Sequence, residues 1–165
     1  MYIKIFLLIA TISLCSCVKS DKRKTVYQEQ VGDTPFDIKL DNPDFKFCDS
    51  TNVYHSRAKI TYKKGNKDLE KDIKNNYVYQ TSFEDVSGYF FVRLAINCEG
   101  KAGRFRVQFV DNEFKESSAP EKLKKQIISI LRKLKGWKPV QSKGQLYDGY
   151  TFIVVKIANG KIISQ

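Results

Sequence analysis

The sequence predicts an α+β fold: a small antiparallel sheet packed against one long and one short helix. Three observations carry that expectation. Residues 89–97 and 104–109 alternate apolar and polar side chains around a glycine-containing connection, which is the pattern of a β-hairpin. Residues 119–135 place apolar side chains at helical spacing. Residues 150–158 form another apolar-rich run, closed by Asn159-Gly160, a strong two-residue turn signal.

Residues 1–16 come before any of this. Lys4 supplies a positive charge, and residues 5–14 form an apolar run interrupted only by the small Ala10, Thr11 and Ser13. That run has the length of a secretion-signal core and is too short to span a bilayer as a helix. Leu14-Cys15-Ser16-Cys17 follows, with an aliphatic residue three before Cys17 and a small one directly before it. The segment resembles the lipobox of bacterial lipoproteins. The resemblance implies cleavage after Ser16 and acylation of Cys17, which would join the chain to membrane lipid.

Removing sixteen of 165 residues leaves 149, enough for one core. The formal charge of +11 falls to +10, because Lys4 is the one ionised side chain removed. Such a surplus suits anionic surroundings or a lysine-rich solvated surface, and no nucleic-acid fold signature accompanies it. Residues 17–35 read as a lipidated N-terminus and flexible tether, with Lys19, Lys22, Arg23 and Lys24 and no sustained apolar period. About 17 flexible residues reach roughly 20 Å, so the domain at 36–165 would stay near its membrane. Acidic residues directly after the lipid cysteine resemble a surface-export signal of Bacteroidota lipoproteins. Val18-Lys19-Ser20-Asp21-Lys22 is mostly basic, which favours the periplasmic face of the outer membrane.

Within the domain, residues 36–48 alternate loosely, with Phe36, Ile38 and Leu40 on one side and Phe45 and Phe47 repeating the spacing. Asp41-Asn42 and Pro43 interrupt the run, so short edge structure is expected. Residues 54–62 predict a strand, and Lys63-Lys64-Gly65-Asn66 a turn. Residues 67–75 set Leu69 and Ile73 four apart, which suits a short helix with one buried stripe.

In the C-terminal half, Phe90, Val92, Leu94 and Ile96 share one face of their strand. After the 98–103 connection, Phe105, Val107 and Phe109 alternate with Arg104, Arg106 and Gln108. An antiparallel hairpin with one wet face is expected. Ser118-Ala119-Pro120-Glu121 reads as a capping box with proline in the first turn. The helix should run over 119–135, burying Leu123, Ile127, Ile130, Leu131 and Leu134, with Gly136 as a left-handed terminator and Pro139 blocking continuation. After the strand at 150–158 and the Asn159-Gly160 turn, residues 161–163 should pair back.

The order hairpin, helix, Trp-x-Pro, strand resembles the C-terminal domain of TonB, in the form found in Bacteroidota envelope proteins. The residues that carry it are Gly88-Tyr89-Phe90-Phe91-Val92-Arg93, Asn97-Cys98-Glu99-Gly100, Gly103-Arg104-Phe105-Arg106-Val107, Leu134-Lys135-Gly136-Trp137-Lys138-Pro139 and 144–155, within a span of about 60–163. The chain departs from TonB itself in having a lipid anchor and short tether instead of an inner-membrane helix and a long proline-rich spacer. The resemblance implies a domain that binds extended protein segments by adding a strand to its sheet.

No catalytic constellation stands out, and no cofactor or metal is expected. His55 is the sole histidine, and Cys48 and Cys98 lack metal-ligand spacing. Those two cysteines form one disulfide or remain separate buried thiols; an oxidising envelope permits either. Asp41 with Asp44, and Asp68 with Asp72, read as solvated charge. Trp137 either packs over the sheet edge or serves as an exposed aromatic anchor beside Lys138, with Tyr147, Tyr150 and Lys156 completing a candidate interaction surface. The strand at 150–158 is the expected sheet edge, with Phe152, Val154 and Lys156 on one face and Ile153, Val155 and Ile157 on the other. The function expected is a non-catalytic adaptor that binds a protein segment in envelope transport or assembly; the alternative is a basic structural lipoprotein held to peptidoglycan by charge.

Overall fold

A computed structural model describes residues 34–55 and 59–164. The expected signal, Cys17 and the tether up to residue 33 lie outside the described residues. The elements, in chain order, are β1 (Thr61–Tyr62), α1 (Asn66–Asn75), β2 (Gly88–Ile96), β3 (Ala102–Val110), α2 (Glu121–Lys133), β4 (Trp137–Lys138), β5 (Val140–Ser142), β6 (Gln145–Tyr147), β7 (Gly149–Ala158) and β8 (Lys161–Ile163), with a short 3₁₀ turn at Thr81–Phe83. The fold is α+β, as the periodicities predict.

The main sheet has the order β3-β2-β7-β8 with every pairing antiparallel. Both helices contribute to the core against one face of it. Phe90, Val92, Leu94 and Ile96 of β2 are all fully buried there, with Leu123, Ile127 and Leu131 of α2, Leu69 and Ile73 of α1, and Ile153, Val155 and Ile157 of β7. Each such side chain contributes roughly 1.5–3 kcal/mol by leaving water. Among the described residues, the buried core residues all lie between Phe45 and Ile157.

Several local expectations are corrected. Residues 36–48 form turns in place of edge structure: the N–H groups of Leu40 and Asp41 both donate to the Asp37 carbonyl, a single helical turn. Of the strand expected at 54–62, Tyr54 makes an isolated bridge to Gly149 and only Thr61–Tyr62 is extended; residues 56–58 lie outside the described residues. α2 begins after Pro120, whose extended ψ of 134° makes it the N-cap, and no side chain caps it, so the Ser118 capping box does not form. The helix ends where Leu134 turns extended, two residues before Gly136 with its φ of +117°.

The largest correction concerns the hairpin's second face, expected to be wet. Between Arg93 and Ala95 the β2–β3 register slips by one residue, at Arg104 with φ +53°. This β-bulge brings Gly103 to the face away from the helices, opposite Ala95, and residues 34–54 cover it. Arg93, Ala95 and Arg106 are buried as a result.

Candidate functional site

The cover on the second face fixes the near end of the candidate site. Cys48 and Cys98 form a disulfide with Cα atoms 6.0 Å apart. Beside it the buried Asp148 carboxylate accepts the N–H groups of Asp49 and Cys98, each at 2.8 Å. Those cysteines and Asp148 cluster closely enough to suggest metal ligands, but both sulfurs are committed to each other. Asn97 adds a clasp, its amide donating to the Lys46 carbonyl. Phe45 packs on Ala95, and Phe47 lies edge-on to Tyr150.

Further along the same face, Asp41 departs from the solvated reading. Its carboxylate is 1% exposed and takes both outer nitrogens of Arg106, at 3.0 and 3.1 Å, and Arg104 at 3.3 Å. Desolvation pushes this carboxyl up, but the hydrogen bonds from Arg106, the Asp37 N–H and Arg104, with the Arg106 charge, overcome it and hold it below the ordinary aspartate value. Asp44 is exposed, in line with the solvated reading. Asp72 forms an ion pair with Lys63 and accepts the Tyr62 hydroxyl; these bonds hold its carboxyl below the ordinary range.

The expected interaction residues do not form one patch. Trp137 is only 7% exposed and meets Tyr62 edge-on at 5.0 Å, where β4 pairs with β1, so it is a packing residue and no exposed anchor. Tyr150 is also buried: the Arg93 guanidinium lies 4.3 Å from its ring centroid, His55 stacks on it, and its hydroxyl accepts the Thr34 N–H. Tyr147 is half-buried against Tyr54. Lys138 is exposed, and Lys156 lies over the Tyr89 ring.

What the structure does assemble is an open length of sheet edge. β8 pairs with β7 only over Lys156–Ala158, and Tyr54 bridges only its first residues. Tyr150 donates its N–H to the Tyr54 carbonyl, away from β2. Alternate residues of a strand direct their backbone groups to the same side, so Phe152 and Val154 face outward too. No strand neighbours them among the described residues. Their side chains, 47% and 36% exposed, stand on the face away from the helices. The strand is therefore an edge over its middle alone, and Lys156 turns its backbone to β8.

Beside this edge lies a small, shallow notch, lined by Glu70 and Ile73 of α1, Val154, Val155 and Lys156 of β7, and Ile162 and Ile163 of β8. It is mostly apolar, with Glu70 and Lys156 as its charged members. The backbone edge can supply main-chain hydrogen bonds, and the notch offers a shallow apolar surface beside them. Sequence reasoning located the strand but missed the notch, whose walls come from three separate elements. No family model matches the chain, and neither a curated protein nor a solved structure matches it. Among the described residues, no helix is long and apolar enough to cross a membrane.

Proposed function

We propose that the chain is an envelope lipoprotein, anchored through Cys17 and facing the periplasm, whose domain binds an extended protein segment along β7. The observation that carries this reading is the outer edge at Phe152 and Val154, which no strand pairs among the described residues, beside a mostly apolar notch. A strand added there would find backbone donors and acceptors that no described strand occupies, with a shallow apolar surface beside them. Lys156 and the exposed Lys161 favour an acidic or neutral segment. The TonB-like order of hairpin, helix, Trp-Lys-Pro and strand supports the same mode, without the energy-coupling role of TonB. In this reading the domain is a binding module with no cofactor, and its anchor is lipid. Fatty-acid labelling should be lost in Cys17→Ala; normal labelling of that variant would end the anchor assignment.

Proline substitution tests the binding mode. Val154→Pro removes an outward N–H and spares the bonds to β2, so the folded domain should survive and lose capture of its partner after in-cell crosslinking. Phe152→Ala keeps the backbone and should weaken capture only modestly. Full capture by folded Val154→Pro would remove strand addition. The competing reading, charge-held association with peptidoglycan, follows from the net charge of +10 and makes a different prediction: attachment should collapse in moderate salt, where strand addition should largely survive.

A further inference from the structure

The turn formed by residues 36–40 exposes three large apolar side chains within five residues: Ile38 is 82% exposed, and Phe36 and Leu40 are 48% each. Apolar exposure of this density is common in a frayed end, but this turn is held firmly. The Leu40 and Asp41 N–H groups donate to the Asp37 carbonyl, the Asp37 N–H donates to the Asp41 carboxylate, and the Lys39 N–H donates to Asp37 Oδ1. The Asp41 carboxylate is in turn clamped from below by Arg106, whose second nitrogen also donates to the Pro35 carbonyl. The apolar side chains are therefore presented by a fixed frame.

Cations surround that frame. Lys39 belongs to the turn, the Arg104 guanidinium lies 4.6 Å from the Phe36 ring centroid, and Arg132 at the end of α2 donates to the Leu40 carbonyl. Arg104 and Arg106 together share the Asp41 carboxylate, which leaves that cluster one positive charge in excess, and Lys39 and Arg132 add to it beside Asp37. An apolar tip inside a basic collar has the chemistry of a surface that enters the headgroup region of an anionic bilayer. A soluble protein partner does not require that combination, whereas a bilayer supplies an acyl boundary for the tip and phosphates for the collar. The chain also continues from Thr34 toward the segment containing Cys17, so this turn is the part of the folded domain nearest in sequence to the expected lipid.

We infer that the Phe36–Ile38–Leu40 turn is a membrane-docking wedge that inserts into an anionic lipid surface and orients the domain on it. The wedge is separate from the β7 edge and does not depend on strand addition. Residues 18–165 with the disulfide formed, the chain expected after processing less its acylated Cys17, serve for the test, and no acyl chain masks the contribution. The probe is vesicles of phosphatidylglycerol and phosphatidylethanolamine, with phosphatidylcholine vesicles as the neutral reference, read by co-sedimentation. The protein should partition onto the anionic vesicles. Ile38→Asp should weaken that roughly ten-fold or more, Lys39→Ala should weaken it about five-fold, and Ile38→Leu should retain it. Because Ile38 makes little contact with the core, its variants should keep the thermal midpoint. Leu146→Ser, at another exposed apolar residue on the β5–β6 hairpin, should bind as the parent does. The wedge is overturned if the parent ignores anionic vesicles, or if Ile38→Asp binds within two-fold of the parent. It is overturned equally if Leu146→Ser loses as much as Ile38→Asp, because diffuse adhesion then explains the binding.

Discussion

The two faces of the β3-β2-β7-β8 sheet are closed by different physics. On one, α1 and α2 lay apolar stripes on Phe90, Val92, Leu94 and Ile96, and burial of hydrocarbon holds the layers together. On the other, residues 34–54 contain no helix or named strand among those described and have few apolar contacts to offer. That face is closed by a disulfide, a buried Asp41–Arg106 pair, the Asn97 and Asp148 clasps, and stacked aromatic and guanidinium groups. The helix face should therefore behave as part of the cooperative core, and the clasped face as a layer whose loss leaves the rest standing.

The sharpest break is expected on the helix face. Leu131→Asp puts a carboxylate at a fully buried position with no cation in the surrounding cluster, a cost large enough to consume most of a small domain's 5–15 kcal/mol stability. Lys133→Asp, two residues on and exposed, should shift the urea midpoint little. Similar midpoints for the two variants would contradict the packing of α2.

Next in size is the disulfide. A bridge across a sequence separation of 50 is worth roughly 4 kcal/mol in the chain-entropy model. Cys48→Ala with Cys98→Ala should lower stability by about that much, and the loss should be local in character. Amide hydrogen exchange should quicken through 34–54 while β2 and α2 keep their relative protection. Uniform acceleration across both faces would mean that the two layers form one cooperative unit.

The elements on the helix face were legible in the sequence because they are periodic. Phe90 to Ile96 repeat every second residue, and Leu123 to Leu134 repeat at helical spacing, so pattern alone locates them. The clasped face has no period to read. Asp41 looks like solvated charge beside a turn, and only the fold brings Arg106, 65 residues away, under it. The alternation of Phe36, Ile38 and Leu40 suggested a strand, but a turn anchored on Asp37 exposes all three. The same limit applies to the candidate site. Residues 150–158 read correctly as a strand with Phe152 and Val154 on one face, but which backbone groups stay open depends on Tyr54 and on how soon β8 ends. Trp137 was read with both outcomes open, and its partner Tyr62, 75 residues away in sequence, decides for packing.

The Asp41 pair gives the clasped face a pH signature. Removing one partner of a buried pair costs about 3 kcal/mol, so Asp41→Asn should destabilise by that order, less than loss of the disulfide. The sign with pH follows from the lowered folded value. The unfolded aspartate titrates near 3.8, so the stabilisation is fully present above that value and disappears as pH falls through the lower folded one. Urea midpoints at pH 7 and pH 3 should therefore differ more for the parent than for Asp41→Asn. An equal acid loss in both would detach Asp41 from the stability of this face.

The smallest expected effect tests whether the clasps hold residues 34–54 down as a unit. Gly103 lies opposite Ala95 on the clasped face, and a Cβ there would stand 2.2 Å from Cγ of Phe45. The ring has little room to retreat: Phe45 is buried, meets Phe47 edge-on at 5.4 Å, and is tied to the sheet three residues later by the Cys48 bridge. Gly103→Ala must therefore lift the segment against its clasps, with an overpacking cost of about 1–3 kcal/mol. Once the bridge is absent, the segment can yield, and the same methyl should cost less. A double-mutant cycle combining Gly103→Ala with the Cys48→Ala/Cys98→Ala pair should accordingly be less than additive by at least about 0.5 kcal/mol. Strict additivity would show that the sheet absorbs the methyl by itself. The disulfide would then hold only its own loop, and the cover on this face would divide into independent pieces.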